Sequence, residues 1–347
     1  MSDFKKPKIY FHQNWPALKE LGEGCLIIAD QRFEDHLWIQ DYPYRYFVKS
    51  GEELKDLKSF PEHMERILAL VDQIPQRPLK IVGMGGGSVG DFAGFAASVL
   101  KRGVGLIHVP STWLSAVDSA HGGKTALNVG GIKNQVGTFY PAQEIFLIRP
   151  LLQGQPQERL HDVLGEVLKI CLIHGGDLWK KISKLPELEE KHLWKYLPDL
   201  IDAKYQIVKK DPQEKIGTRH ILNFGHTIGH VLEAELGLTH GHAIFLGTQF
   251  SIEWSRHLKI MNEKSALDLA KSSMGQYLLD TVDLKKELRS AKQLRELLSQ
   301  DKKRVEAGLR FVFLKSPGNC LVKTVTIEDI VAEVVRQSTN VPLRTKI

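Results

Sequence analysis

The sequence predicts an α/β protein in two parts, a parallel sheet with helices on its faces followed by a mainly helical half. Three observations predict it. Apolar runs of strand length alternate with helical periods up to about residue 150. A glycine cluster, Gly85-Gly86-Gly87, stands between a strand-like run and a helical one. From Glu158 onward the apolar pattern lengthens to helical periods, with few β-branched stretches before RFVFLK at 310–315.

Along the chain, CLIIAD (25–30) and RYFVKS (45–50) read as strands, because apolar and β-branched residues fill lengths too short for helices. MERILALVDQI (64–74) has helical spacing, LKIVGM (79–84) returns to strand, and FAGFAASVLKRG (92–103) to helix. GLIHVP (105–110) and EIFLI (144–148) complete the strand series. Strands joined through helices pair in parallel, since the crossover returns the chain to the same end of the sheet. LLQGQPQER (151–159) carries Gly154 and Pro156 and reads as a hinge. Beyond it, LHDVLGEVLKICLIHGG (160–176), HTIGHVLEAELG (226–237) and SALDLAKSSMGQYLL (265–279) each carry helical periodicity. The expected domains are 1–155, α/β, and 156–347, helical.

Composition narrows the class. The 347 residues, 42% hydrophobic and 25% charged, suit two globular domains with ample core and exclude a disordered chain. MSDFKKPKIYF opens without the apolar run of a signal peptide, and no stretch approaches the ~20 apolar residues that span a bilayer, so a cytoplasmic protein is expected. Cys25, Cys171 and Cys320 lie far apart without a CxxC, which argues against a disulfide framework or a cysteine zinc knuckle. The net charge of +6 is scattered among acids and lacks an aromatic-basic motif, so a small anionic substrate explains it better than nucleic acid.

The richest stretch is RHILNFGHTIGH (219–230), where His226 and His230 stand four residues apart and share a helix face. His240-Gly241-His242 follows within ten residues, and Glu166 in LGEVLKI (164–170) offers a carboxylate on another helical segment. A lone histidine pair at this spacing more often lines a helix surface. Flanked by Asn223, Gly225, Gly229 and a further histidine, it favours a divalent metal, and three ligands leave the ion an open position, as in catalytic sites.

The glycine turn Gly85-Gly86-Gly87-Ser88-Val89-Gly90-Asp91 lets the backbone approach a pyrophosphate at the free N–H groups of a helix start. Its spacing is not GxGxxG, and no acid stands at the usual ribose-binding place, so the residues alone indicate a nucleotide and no more. Ser111-Thr112-Trp113, the run from Val117 to Thr125, and Gly131-Ile132-Lys133-Asn134 form a polar stretch that a core strand would not tolerate. Lys124, Lys133, Lys169 and Arg219 each stand beside glycine-rich or metal-adjacent segments. Singly, each reads as a surface charge; together they suit a phosphate and a carboxylate.

GGGSVGDFAGFAAS, KRGV, VDSAHGGKTALN, GIKNQVGTFYP, GEVLK, RHILNFGHTIGH, HGHA and DKKRVEAGLRFV, in that order, resemble the 3-dehydroquinate synthase family over roughly residues 45 to 315. The resemblance implies a homodimeric enzyme with an NAD-binding α/β domain and a helical metal-binding domain. It would convert 3-deoxy-D-arabino-heptulosonate 7-phosphate to 3-dehydroquinate and phosphate, in the shikimate route to aromatic amino acids. It implies a metal, zinc or else cobalt, on Glu166, His226 and His240. It places substrate on Asp118, Lys124, Lys133, Asn134, Lys169, Lys204, Arg219, Asn223 and His230, with Arg102 reaching the neighbouring subunit, and a further lysine at Lys302 or Lys303. It places NAD on Glu52, Lys55, Gly86, Gly87, Ser88, Val89, Gly90, Asp91, Ser111, Thr112, Lys124 and Lys133.

The sequence departs from the family pattern at four places. His242 replaces the glutamate of HGE, removing a carboxylate beside the ligands and adding an imidazole two residues from His240. Gly154-Gln155-Pro156 and Ser50-Gly51-Glu52 differ at elements that face the cofactor, and Asp211-Pro212-Gln213-Glu214 differs before Arg219. The other readings are another sugar phosphate cyclase, a metal-dependent alcohol or glycerol dehydrogenase, and a binding protein derived by decay of the site.

Overall fold

The strand-helix alternation builds one six-stranded sheet from β1 (Lys8–His12), β2 (Cys25–Asp30), β3 (Arg45–Val48), β4 (Lys80–Gly85), β5 (Gly105–Pro110) and the late strand Glu144–Ile148. In the computed structural model, which describes residues 5–279, 291–299, 304–305 and 308–339, every pairing in this sheet is parallel. A hairpin of β6 (Lys124–Val129) and β7 (Ile132–Phe139) precedes the late strand, which is therefore β8, and the sheet order is β1-β8-β5-β4-β2-β3. Helices α1 (Phe60–Val71), α2 (Gly87–Val99) and α3 (Arg149–Leu152) belong to the same part. All six residues of β2 are buried, as a strand covered on both faces requires. Cys25, Ile27, Ala29, Val82, Met84, Ile107, Val109 and Phe146 pack into one core.

The strand order positions the glycine turn. From β2 the chain moves outward to β3, and from β4 it moves the other way to β5, so the carboxyl ends of β2 and β4 mark a topological switch point. The turn Gly85–Gly87 lies at that end of β4. A Cβ on Gly85 would fall 2.5 Å from the Val89 Cβ, so only glycine lets the strand end meet the first turn of α2.

Two N-terminal elements go beyond the sequence reading. β1 is a short edge strand of mixed burial. The polar stretch around Lys124 and Lys133 forms the antiparallel β6-β7 hairpin, outside the main sheet. Gly130 and Gly131, with φ of 59° and 79°, make its two-residue turn, which needs positive φ at both positions.

The chain divides into two compact units, Met1–Arg159 and Leu160–Ile347. The division falls in the first turn of α4 (Gln157–His174), just beyond Gly154 and Pro156. The second unit continues with α5 (Gly176–Ile182), α6 (Glu190–Val208), α7 (His226–Leu236), α8 (His240–His257), α9 (Glu263–Ala270), α10 (Ser273–Leu279), α11 (Ala291–Ser299) and α12 (Ile327–Thr339). A small sheet of β9 (Arg304–Val305), β10 (Gly308–Ser316) and β11 (Asn319–Val325) packs there, with Phe250, Trp254, Phe311 and Phe313 in its core. The single helical period at 265–279 is two helices, because the Ser272 hydroxyl accepts the Gly275 N–H at 3.1 Å and starts α10 afresh. Among the described residues no helix is long and apolar enough to cross a membrane. All three cysteines are free, and burial raises each thiol pKa, Cys25 to about 11 and Cys320 to about 12.

Candidate metal centre and cofactor cradle

Glu166, His226 and His240 sit on α4, α7 and α8, and one ligand atom of each lies within 4.8 Å of the other two. Glycines beside each ligand bring the helix backbones together. A Cβ on Gly241 would overlap the Asp162 carbonyl oxygen, one on Gly165 the Gly241 carbonyl oxygen, and one on Gly247 the Gly225 carbonyl oxygen. Gly225, with φ of 78°, turns the chain into α7 so that His226 occupies its first position. The Thr239 hydroxyl donates to the Asp162 carboxylate and ties the start of α8 to α4.

Both imidazoles are oriented by Nδ1. That of His226 lies 3.2 Å from the Phe224 carbonyl oxygen, and that of His240 lies 3.0 Å from Glu233 Oε2. In the neutral ring, donation from Nδ1 leaves Nε2 its lone pair, and the two Nε2 atoms face Glu166 Oε1 at 3.7 and 3.6 Å. Glu166 is buried, and its Oε1 has no hydrogen-bond partner among the described residues, while Oε2 lies 2.5 Å from the Lys169 ammonium. A buried carboxylate oxygen faced by two imidazole Nε2 atoms, each able to give a lone pair once deprotonated, is a donor set that fits a divalent ion such as zinc. Burial opposes charge on His240, but Glu166 and Glu233 outweigh it and push its pKa up to about 9.

The helical unit holds further expected residues, of which His230 stands beside this set. The His230 ring centroid is 5.3 Å from that of His226 and 6.2 Å from that of His240, and its side chain is exposed. Lys204, on α6, is buried, and Asn223 ends the turn Thr218–Asn223 before α7. Arg219 is buried, donates to the Pro212 carbonyl at 2.8 Å, and pairs with Glu214 at 3.6 Å. Its loop is folded by Asp211, whose carboxylate accepts the N–H groups of Lys215, Ile216 and Gly217 at 2.8, 3.1 and 2.7 Å. His242 is exposed and contributes no atom to the ligand set. Lys302 and Lys303 lie outside the described residues.

In the α/β unit, Gly86 caps α2, and Gly87 through Asp91 form its opening turns. The Ser88 hydroxyl accepts the Gly51 N–H at 3.1 Å, Thr112 accepts that of Ser115 at 3.1 Å, and Arg32 donates to Ser111. Buried Lys55 donates to Asp91 Oδ2 and to Asn134 Oδ1, both at 2.6 Å. Burial raises the Asp91 pKa despite the opposing pull of Lys55. Asn128 joins the network, donating to Glu52 Oε2 at 2.8 Å and accepting the Asn134 N–H at 2.9 Å. Lys124 and Lys133 are exposed on the hairpin, and Asp118 stands in the turn Ser115–Ser119. Arg102 is exposed in a turn where Lys101 and Arg102 both hold positive φ, 47° and 67°.

Sequence reasoning missed Asn128, Arg32 and Glu233, and named Asp211 only as a departure from the family pattern. Only Glu233 left a signal, since it stands seven residues after His226 and so on the same helix face.

Comparison with solved structures defines the class. The fold matches a 2-deoxy-scyllo-inosose synthase solved with carbaglucose-6-phosphate, NAD+ and Co2+, at a TM-score of 0.79 and 25% identity, covering 95% of this chain and 98% of that one. An iron containing alcohol dehydrogenase shares the fold more loosely, at a TM-score of 0.59 and 17% identity over 99% of this chain and 100% of that one. Sequence resolves the family within that class. The family described as 3-dehydroquinate synthase N-terminal matches residues 45–162, and 3-dehydroquinate synthase C-terminal matches 163–304. The 3-dehydroquinate synthase of Methylacidiphilum infernorum is 35% identical, covering 90% of this chain and 87% of that protein; that of Alkaliphilus metalliredigens is 32% identical, covering 82% and 80%. The chain belongs to the 3-dehydroquinate synthase family.

Proposed function

We propose that the chain is a 3-dehydroquinate synthase, a carbon–oxygen lyase that closes 3-deoxy-D-arabino-heptulosonate 7-phosphate to 3-dehydroquinate with loss of phosphate. Beyond family membership, the observation that carries this reading is the buried Glu166 Oε1, without a hydrogen-bond partner among the described residues, facing the Nε2 atoms of His226 and His240. Those three residues would hold the metal, and when bound it supplies Lewis acidity toward substrate hydroxyl and carbonyl oxygens. The Gly86–Asp91 turn with Glu52, Lys55, Ser111 and Thr112 would hold NAD, which would supply a hydride acceptor.

The chain's own residues bind and orient. Lys169 neutralises one oxygen of Glu166 and leaves the other for the ion. Lys204, Arg219, Asn223 and His230 are assigned to the substrate, as are Asp118, Lys124, Lys133 and Asn134. Their support is the family motif together with cationic and hydrogen-bonding chemistry suited to a carboxylate and a phosphate. The Lys55 contact fixes Asp91 and Asn134 before any ligand arrives. A homodimer, to which Arg102 would contribute across subunits, and a cytoplasmic location complete the proposal.

The likeness to the inosose synthase favours one second reading, a cyclase for a hexose phosphate. The two are separated by substrate. The expected result is phosphate release from the seven-carbon acid phosphate and none from glucose 6-phosphate. The reverse pattern would overturn the assignment.

A further inference from the structure

We infer that Glu233 is the positioning residue of His240, so that the histidine at 242 takes no part in holding the metal; the inference rests on the metal-dependent reading above. On α7, His226, His230 and Glu233 follow at i, i+4 and i+7 and share one face. Gly237, with φ of 63°, ends that helix and lets the chain reverse, so that His240 opens α8 against the last turn of α7. Glu233 Oε2 then lies 3.0 Å from His240 Nδ1 while His240 Nε2 lies 3.6 Å from Glu166 Oε1. One carboxylate thus fixes tautomer and ring plane, and the other marks the ligand site.

The two imidazoles differ in what holds them. His226 is anchored by a backbone carbonyl, which no substitution removes, and His240 by a side chain. Position 242 lies two residues along α8, a rotation of about 200°, and His242 is exposed. Neither an imidazole nor a carboxylate at 242 therefore shares the face of His240. The carboxylate that orients His240 comes from the preceding helix.

Zinc affinity measured by competition with a chromophoric chelator, and the visible spectrum of the Co2+-loaded protein, test this. Glu233→Gln and Glu233→Ala should weaken zinc binding by about 10- to 100-fold and change the Co2+ spectrum, with the melting temperature of the metal-free protein unchanged. His242→Ala and His242→Glu should bind zinc as the unmodified chain does. Equal affinity in the unmodified chain and Glu233→Ala would overturn this inference alone, as would a tenfold loss in His242→Ala. Failure of the unmodified chain to bind any divalent ion would overturn the metal reading and this inference with it.

Discussion

Glu166 and Lys169 are both buried and 2.5 Å apart, so neither charge has water to fall back on. Removing one member of such a pair leaves the other uncompensated, at a cost of about 3 kcal/mol or more. Lys169→Met should therefore destabilise the metal-free protein by that amount, and zinc should recover part of the loss. Thermal unfolding with and without zinc checks it; superimposable curves for the variant and the unmodified chain in both states would deny the pair an energetic role. His108 makes a separate case in the sheet. Burial on β5 lowers its pKa from 6.5 to about 4, so it is folded neutral while the unfolded chain takes up a proton. Its stability contribution is complete above pH 6.5 and is lost as pH falls toward 4, by on the order of 3 kcal/mol. His108→Gln should flatten that part of the stability profile, and an unchanged profile would place the acid sensitivity elsewhere.

At the scale of elements, the ligand set depends on helix backbones that touch. Gly241 meets the Asp162 carbonyl with no room for a methyl group, so Gly241→Ala must part α4 from α8 and separate Glu166 from His240. The variant should retain less than one zinc per chain after dialysis, and full retention would show that the helices can shift without disturbing the site. The sequence made the histidine spacing and the flanking glycines visible, because a shared helix face follows from period alone. It did not show which helices those glycines touch, since periodicity names a face and not its partner. The β6-β7 hairpin was hidden for a related reason. Its apolar residues Ala126, Leu127, Val129, Ile132, Val136 and Phe139 do not alternate with polar ones and it stands outside the buried sheet, so the period-two signal was absent, although the Gly130-Gly131 turn was there to be read. Asp211 and Asn128 act through backbone and side-chain hydrogen bonds that leave no periodic trace.

For the whole molecule, the alternation of strands and helices was enough to predict the parallel sheet, and the long helical periods the second unit. Each unit carries one candidate feature, a glycine turn at a sheet switch point in one and a Glu/His/His set in the other. The same fold also occurs in an alcohol dehydrogenase, so architecture alone does not separate a cyclase from a net oxidant. Stoichiometry does. The most direct measurement follows inorganic phosphate and absorbance of NADH together while the metal-loaded protein consumes 3-deoxy-D-arabino-heptulosonate 7-phosphate with a limiting amount of NAD. Many equivalents of phosphate per NAD, with no lasting NADH, is the predicted result. NADH rising in proportion to substrate consumed, or activity surviving complete removal of NAD, would contradict it.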